Sequence, residues 1–240
     1  MSKPDFMGIG AQRCGTTSMY HYLSRHPDIA KPARKETFYF AYNYDKSEEW
    51  YRNIFPDSGK SFEICTYYLY HPLAPQRIKN EWDGNKFFVM LRNPVDRAYS
   101  QFWHEKRVGH EDAIITFDDA VNLEEARLRG SDPRRGRAIG YESFGYLKRS
   151  IYVEQLERWF RYFDREKIEI IKSERFYQNT SKVVKELLEF LDIAPLDLGP
   201  YEKYYGLDYP EMSDKMRERL KEYYEPYNEK LYDLIGRRLW

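Results

Sequence analysis

Cysteine is scarce in this chain: two residues in 240, Cys14 and Cys65, at no spacing that suits a disulfide framework or a metal-ligand set. That excludes a small cross-linked scaffold, fits a reducing compartment, and leaves no metal expected. Long apolar runs are missing as well, and the opening MSKPDFMGIG lacks the basic, apolar and cleavage regions of a signal peptide. The expectation is a soluble, cytoplasmic protein with no membrane span. Nor is there net charge. Lys plus Arg and Asp plus Glu number 39 each, so no bulk field draws the chain to nucleic acid or to an anionic membrane, and any anion site must be local. Internal repeats and low-complexity tracts are absent too.

What is present is globular: 42% hydrophobic, 32% charged and 18% aromatic residues. The 23 tyrosines read mostly as core edge and helix surface, with ring stacking on a base or sugar left to a few. The length suffices for one substantial core, and one domain over 1–240 is expected. Short β-rich runs alternate with longer helical patterns. That alternation predicts an α/β fold, a P-loop-like three-layer domain with a central parallel sheet flanked by helices. Strands are expected at Phe6–Ile9, Ser61–Ile64, Lys86–Leu91 and Ile168–Lys172. Helices are expected at Thr16–Ser24, Val95–Glu105, Phe117–Leu128, Ile151–Phe163 and Thr180–Leu191. A last helix should run from an N-cap at Ser213 toward Ile235, with Pro226 kinking or interrupting it. Arg129–Glu142, rich in Gly, Arg and Ser, reads as a mobile surface loop, either a lid or a solvated connection.

The stretch from Phe6 to Ser18 carries the most chemistry. A strand ends at a glycine, a tight loop follows, and Thr16, Thr17 and Ser18 open an amphipathic helix. In that geometry loop amides and the positive end of the helix converge on one anion, with Gly10 and Gly15 permitting close backbone approach. The G-x-x-x-x-G spacing is that of a nucleotide-triphosphate loop, but Thr16-Thr17 replaces the Lys-Ser/Thr pair and the basic residue has moved inside the loop, to Arg13. The missing lysine, together with the lack of an obvious Mg²⁺-holding aspartate after a second strand, argues against γ-phosphoryl transfer. A second anion site is offered by Lys86–Leu91 running into Arg92-Asn93-Pro94. Arg92 sits at the carboxyl end of a strand, where open parallel sheets bind ligands, and Ser100 lies two turns along the next helix. Taken alone, Arg-Asn-Pro is more often a turn with a surface ion pair.

Together, G-A-Q-R-C-G-T-T-S (10–18) and L-R-N-P-V-D-R-A-Y-S (91–100) resemble the 5′-phosphosulfate loop and the 3′-phosphate motif of sulfotransferases that use 3′-phosphoadenosine 5′-phosphosulfate (PAPS). The resemblance is to the carbohydrate type, the heparan sulfate N- and 3-O-sulfotransferases and their bacterial relatives. It continues, collinear though weaker, through Ser150-Ile151-Tyr152, Glu174, Tyr209-Pro210-Glu211-Met212 and the end at Gly236-Arg237-Arg238-Leu239-Trp240. It implies a PAPS donor, leaving as 3′-phosphoadenosine 5′-phosphate (PAP). Arg13 then stands on the bridging and leaving oxygens, with Gly15, Thr16, Thr17 and Ser18 on the 5′-phosphate and Cys14 beside them in the donor-binding set. Arg92 and Ser100 stand on the 3′-phosphate, and Tyr152 joins the donor-binding set. Glu36, in Lys35-Glu36-Thr37-Phe38-Tyr39-Phe40, falls on the proposed general base, and His104 where several members carry a histidine facing the acceptor.

Two segments depart from the family pattern. Glu63-Ile64-Cys65-Thr66 has no lysine where some glycan enzymes place one near the sulfuryl group, and Tyr205-Gly206-Leu207 stands in place of a Lys-Gly-Arg phosphate loop. The expected acceptor is a glycan hydroxyl first, then a small alcohol or lipid, then an amine. Glu36 as base competes with a simple pairing to Arg34 or Lys35, and His104 is a base, an acceptor contact or a helix-packing residue. A P-loop kinase or hydrolase, which would need Mg²⁺ and the absent lysine, and a non-catalytic glycan-binding module using Trp50, Trp82 and Trp103 are the competing readings.

Overall fold

The computed structural model describes residues 3–82, 86–202, 204, 206 and 208–240. Five parallel strands form the sheet: β1 (Phe6–Gly10), β2 (Ile29–Ala30), β3 (Lys60–Ile64), β4 (Lys86–Leu91) and β5 (Ile168–Lys172), in the order β2-β3-β1-β4-β5. The first half of the chain supplies helices α1 (Thr16–Leu23), α2 (Glu48–Arg52), α3 (Ala74–Glu81), α4 (Pro94–Arg107) and α5 (Phe117–Arg129). The second half supplies α6 (Ile139–Ser143), α7 (Tyr152–Phe160), α8 (Ser173–Gln178), α9 (Thr180–Phe190) and α10 (Asp214–Ile235). The parallel α/β reading is therefore right, and the four expected strands and six expected helices are all present.

β1 is the middle strand, and its residues Phe6, Met7 and Ile9 are buried, as a strand with neighbours on both edges and helices over both faces must be. Phe6 pairs with Phe62 on one side and Lys86 on the other. Beyond the sheet the segments stay bonded to it: the amide of Ala11 donates to Met90 O at 2.8 Å, Cys65 to Gly8 O at 2.9 Å and Leu69 to Ile9 O at 2.7 Å. Gly10 is required there, since a Cβ would stand 2.9 Å from that of Leu69. The turns after β1, β3 and β4 are thus gathered at one edge of the sheet.

Several expectations are corrected in detail. Pro226 does not interrupt α10, which runs unbroken from the Ser213 cap; burial of Tyr224, Leu231 and Tyr232 on either side of the proline holds the axis where its missing N–H gives nothing. The 129–142 stretch is not a plain loop. It holds a 3₁₀ turn at Pro133–Arg135 and the start of α6, docked by Tyr141 stacked on Tyr70 at 4.3 Å and by His71 Nε2 against Pro133 O at 3.1 Å. Among the described residues no helix is long and apolar enough to cross a membrane.

Candidate active site

α1 begins on Gly15, whose φ of 95° is left-handed; a Cβ there would lie 2.9 Å from the Tyr177 hydroxyl. No side chain caps this helix, so its first amides remain available to a ligand. Arg13, also at positive φ (69°), projects from the loop, and its Nε donates to Ser100 Oγ on α4 at 3.1 Å. Arg92 directly follows β4, one strand away. Its turn is fixed from below: Asn93 N donates to Glu174 Oε1 at 2.8 Å, Trp240 Nε1 donates to Glu174 Oε2 at 3.2 Å, and the Tyr152 hydroxyl donates to Arg92 O at 2.9 Å.

Arg13, Gly15, Thr16, Thr17, Arg92 and Ser100 line a single cavity of about 520 Å³, within the range of a nucleotide site. Burial pushes the Arg13 guanidinium below its ordinary pKa; Arg92 opposes it too, while Tyr209 favours the charge. Burial acts in the same sense on Arg92, but the Tyr209 hydroxyl, Cys14 and Asp96 outweigh it, and Arg92 sits above the ordinary value. Among the described residues neither arginine makes an ion pair.

Three residues of the expected donor set are not on the cavity wall. Ser18 is buried, and its hydroxyl accepts from Tyr204 N at 3.2 Å. Cys14 is buried with Sγ 3.5 Å from Gln12 O and 3.9 Å from the Tyr152 hydroxyl, and its carbonyl accepts from Ser173 Oγ at 2.7 Å. Tyr152 lies beneath both loops. Tyr205 and Leu207 of the late phosphate-loop segment lie outside the described residues, while Gly206 lines the cavity. The wall also includes Tyr22, Tyr177, Tyr201, Tyr204 and Tyr209, which motif spacing did not single out as donor contacts; the high tyrosine count was the only signal.

Glu36 and His104 stand apart from this cavity. Glu36 pairs with Lys35 at 2.6 Å, and Thr66 Oγ1 donates to its Oε2 at 3.4 Å. Its loop is pinned by Glu63, a fully buried carboxylate on β3. Glu63 Oε1 accepts from Thr37 N (3.1 Å), Thr37 Oγ1 (2.5 Å) and the Tyr68 hydroxyl (3.0 Å), and Oε2 accepts from the Tyr51 hydroxyl (2.7 Å). Burial raises the Glu63 pKa against the pull of those donors. His104 lies one turn beyond Ser100 on α4. Burial first, then Arg13 and Arg149, lower its pKa to about 4, so the ring is neutral at pH 7; its Nδ1 is buried without a partner.

The chain matches the sulfotransferase domain family over residues 3–208. It is 26% identical over 98% of its length to the membrane-associated sulfotransferase kil1 of Dictyostelium discoideum, of which it spans 65%. It is 27% identical over 98% of its length to the bifunctional heparan sulfate N-deacetylase/N-sulfotransferase 1 of Caenorhabditis elegans, of which it spans 30%. A solved sulfotransferase from Alicyclobacillus acidocaldarius superposes with a TM-score of 0.83 at 28% identity, covering all of this chain and 98% of that one. A cationic loop at the end of the central strand, a second arginine one strand over, and agreement of sequence and fold along nearly the whole length lead to one assignment: the chain belongs to the sulfotransferase domain family.

Proposed function

We propose that this chain moves the sulfuryl group of PAPS to an acceptor hydroxyl, of a carbohydrate in the first instance, by in-line displacement. The observation that carries the reading is electrostatic. Arg13 and Arg92 face one cavity, repel each other, and have no carboxylate paired to them among the described residues, so the site is complete only with an anion in it. A nucleotide with phosphates at both ends answers that arrangement. The Gly15 amide, Thr16 and Thr17 hold the 5′-phosphate, and Arg92 and Ser100 hold the 3′-phosphate. Cys14, Ser18 and Tyr152 contribute through main chain and by fixing the loops.

Glu36 or the neutral His104 takes the proton from the acceptor hydroxyl as its oxygen bonds to sulfur. The bond from sulfur to the bridging oxygen breaks, its electron pair leaves with PAP, and Arg13 offsets the charge gathering there. The heparan sulfate relatives favour a glycan, and their N-sulfotransferase name puts an amino sugar on the panel of acceptors to try. One functional unit over 1–240 and a cytoplasmic setting belong to the same proposal, supported by the continuous core and by two free, buried cysteines.

The test is direct. Titration with PAP should give saturable binding at micromolar concentrations while ATP-Mg binds far more weakly, and labelled sulfate should pass from PAPS to a member of a panel of hydroxylated and amino sugars. Indifference to PAP at millimolar concentration would sink the reading.

A further inference from the structure

Between Gly10 and Ser18 the only basic side chain is that of Arg13, so most of the grip on a doubly charged phosphate end must come from neutral N–H and O–H groups. One such hydroxyl comes from outside the loop. Helix α8 follows β5 directly, and its first two residues are bonded to the two anion loops: Ser173 Oγ donates to Cys14 O at 2.7 Å, and Glu174 Oε1 accepts from Asn93 N at 2.8 Å. Phe176 is buried beside Tyr22 of α1, with ring centroids 6.0 Å apart. α8 is thereby held across both loops.

Tyr177 lies one turn after Ser173, at the i+4 spacing that puts two side chains on one helix face, and both line the Arg13–Arg92 cavity. It is 39% exposed, whereas its neighbour Phe176 is buried. Its hydroxyl stands against the residue on which α1 opens: the position a Cβ would take on Gly15 is 2.9 Å from that oxygen and 3.2 Å from the ring carbon bearing it. Burial first, and Cys14 with it, raise the phenol pKa, while the Ser18 side chain and the charges of Arg92 and Arg13 pull the other way; the group keeps its proton at pH 7. An O–H dipole in the field of two guanidinium groups turns its oxygen toward them and its hydrogen away, the orientation in which it donates to an anion they share.

We infer that the Tyr177 hydroxyl donates a hydrogen bond to the 5′-phosphate of the sulfuryl donor, a side-chain contact to that end of the nucleotide supplied by α8 and not by the phosphate loop. The inference rests on the sulfuryl-transfer reading above. It makes the hydroxyl, and not the face of the ring, the binding element. A hydrogen bond to a charged oxygen is stronger than one to a neutral partner, so this one oxygen should be worth about tenfold in affinity.

The experiment uses Tyr177→Phe, which removes a single oxygen from a partly exposed ring and leaves the packing of α8 intact. Calorimetric titration should show PAP binding about tenfold more weakly to the variant than to the wild type. Phosphorus NMR spectra of the two proteins saturated with PAP should differ at the 5′-phosphate resonance and agree at the 3′-phosphate resonance. An affinity within about twofold of the wild type would overturn the contact, and so would assign the tyrosine to ring stacking or to the fold. A 3′ resonance that moves as far as the 5′ one would overturn it as well, since the whole nucleotide would then have shifted. Failure of PAP to bind the wild type is a separate result: it removes the sulfuryl-transfer reading, and this contact with it.

Discussion

Arg13 Nε donates to Ser100 Oγ across 3.1 Å, so a hydrogen bond ties the loop that ends the central strand to the helix that follows its neighbour. That bond sets where the guanidinium stands before any ligand arrives. Arg13→Ala should lower kcat by roughly 10²–10³-fold, as loss of a preorganised charge stabiliser does, with a smaller effect on the KM for PAPS. Ser100→Ala leaves the guanidinium in place but untethered, and should weaken PAP binding while costing less in kcat. Steady-state kinetics on both variants check this; an unchanged rate in Arg13→Ala would show that the arginine has no part in the chemistry.

Gly15 allows a different test. Its φ of 95° costs an ordinary residue about 1–2 kcal/mol, and a Cβ would meet the Tyr177 hydroxyl at 2.9 Å. Gly15→Ala should bind PAP at least about tenfold more weakly, because the amides that open α1 shift off the anion. Calorimetric titration measures it. Thermal unfolding should fall by only a few degrees, which separates a spoiled cradle from a spoiled fold.

Glu63 is not on the wall of the Arg13–Arg92 cavity, yet it fixes the loop that bears Glu36. Gln at this position keeps the shape and one acceptor oxygen but points an amide N–H₂ at hydroxyl donors, so Glu63→Gln should destabilise the protein by about 2 kcal/mol and slow transfer. Urea unfolding gives the first quantity and kcat at saturating PAPS the second. A variant of full stability and full rate would show that the loop does not depend on this knot.

The two histidines with depressed pKa values predict an acid response. His104 and His71 titrate at about 4 in the folded protein, each chiefly through burial, against 6.5 for the free ring. As pH falls the unfolded chain takes up these protons first, so their contribution to stability is whole above about pH 6.5 and drains away between there and about pH 4. The urea midpoint should drop through that window and drop less in His71→Asn. If His104 is the base, the acid limb of kcat should fall below pH 5, and a limb centred at 6.5 would contradict the neutral, buried ring.

Much of this was legible in the sequence because the informative features are local. The strand before Gly10, the hydroxyl run after Gly15 and the break at Asn93-Pro94 each declare their own conformation, and all of them appear where the residues place them. Short elements were missed. α2, α3 and α8 are each one or two turns long and hold their shape by contacts with distant residues, and β2 is two residues long. Nor does spacing reveal that Glu63 reaches 26 residues back to Thr37, or that five tyrosines from four parts of the chain meet on one wall. Those relationships are made by the sheet order, which no window of neighbouring residues contains.

Residues 198–202 and Tyr204 are strapped across α1 in large part by their own backbone. Arg25 takes the carbonyls of Leu198 and Pro200, the Tyr22 hydroxyl takes that of Glu202, and Ser18 exchanges bonds with the main chain of Tyr204. These backbone bonds are indifferent to which side chains the strap carries, whereas the Tyr204 hydroxyl, bonded to Arg25 at 2.7 Å, and the Tyr204 ring, stacked on His21 at 4.2 Å, are not. Substitution along the lip of this cavity can therefore change its chemistry while the backbone bonds to the helix stay in place.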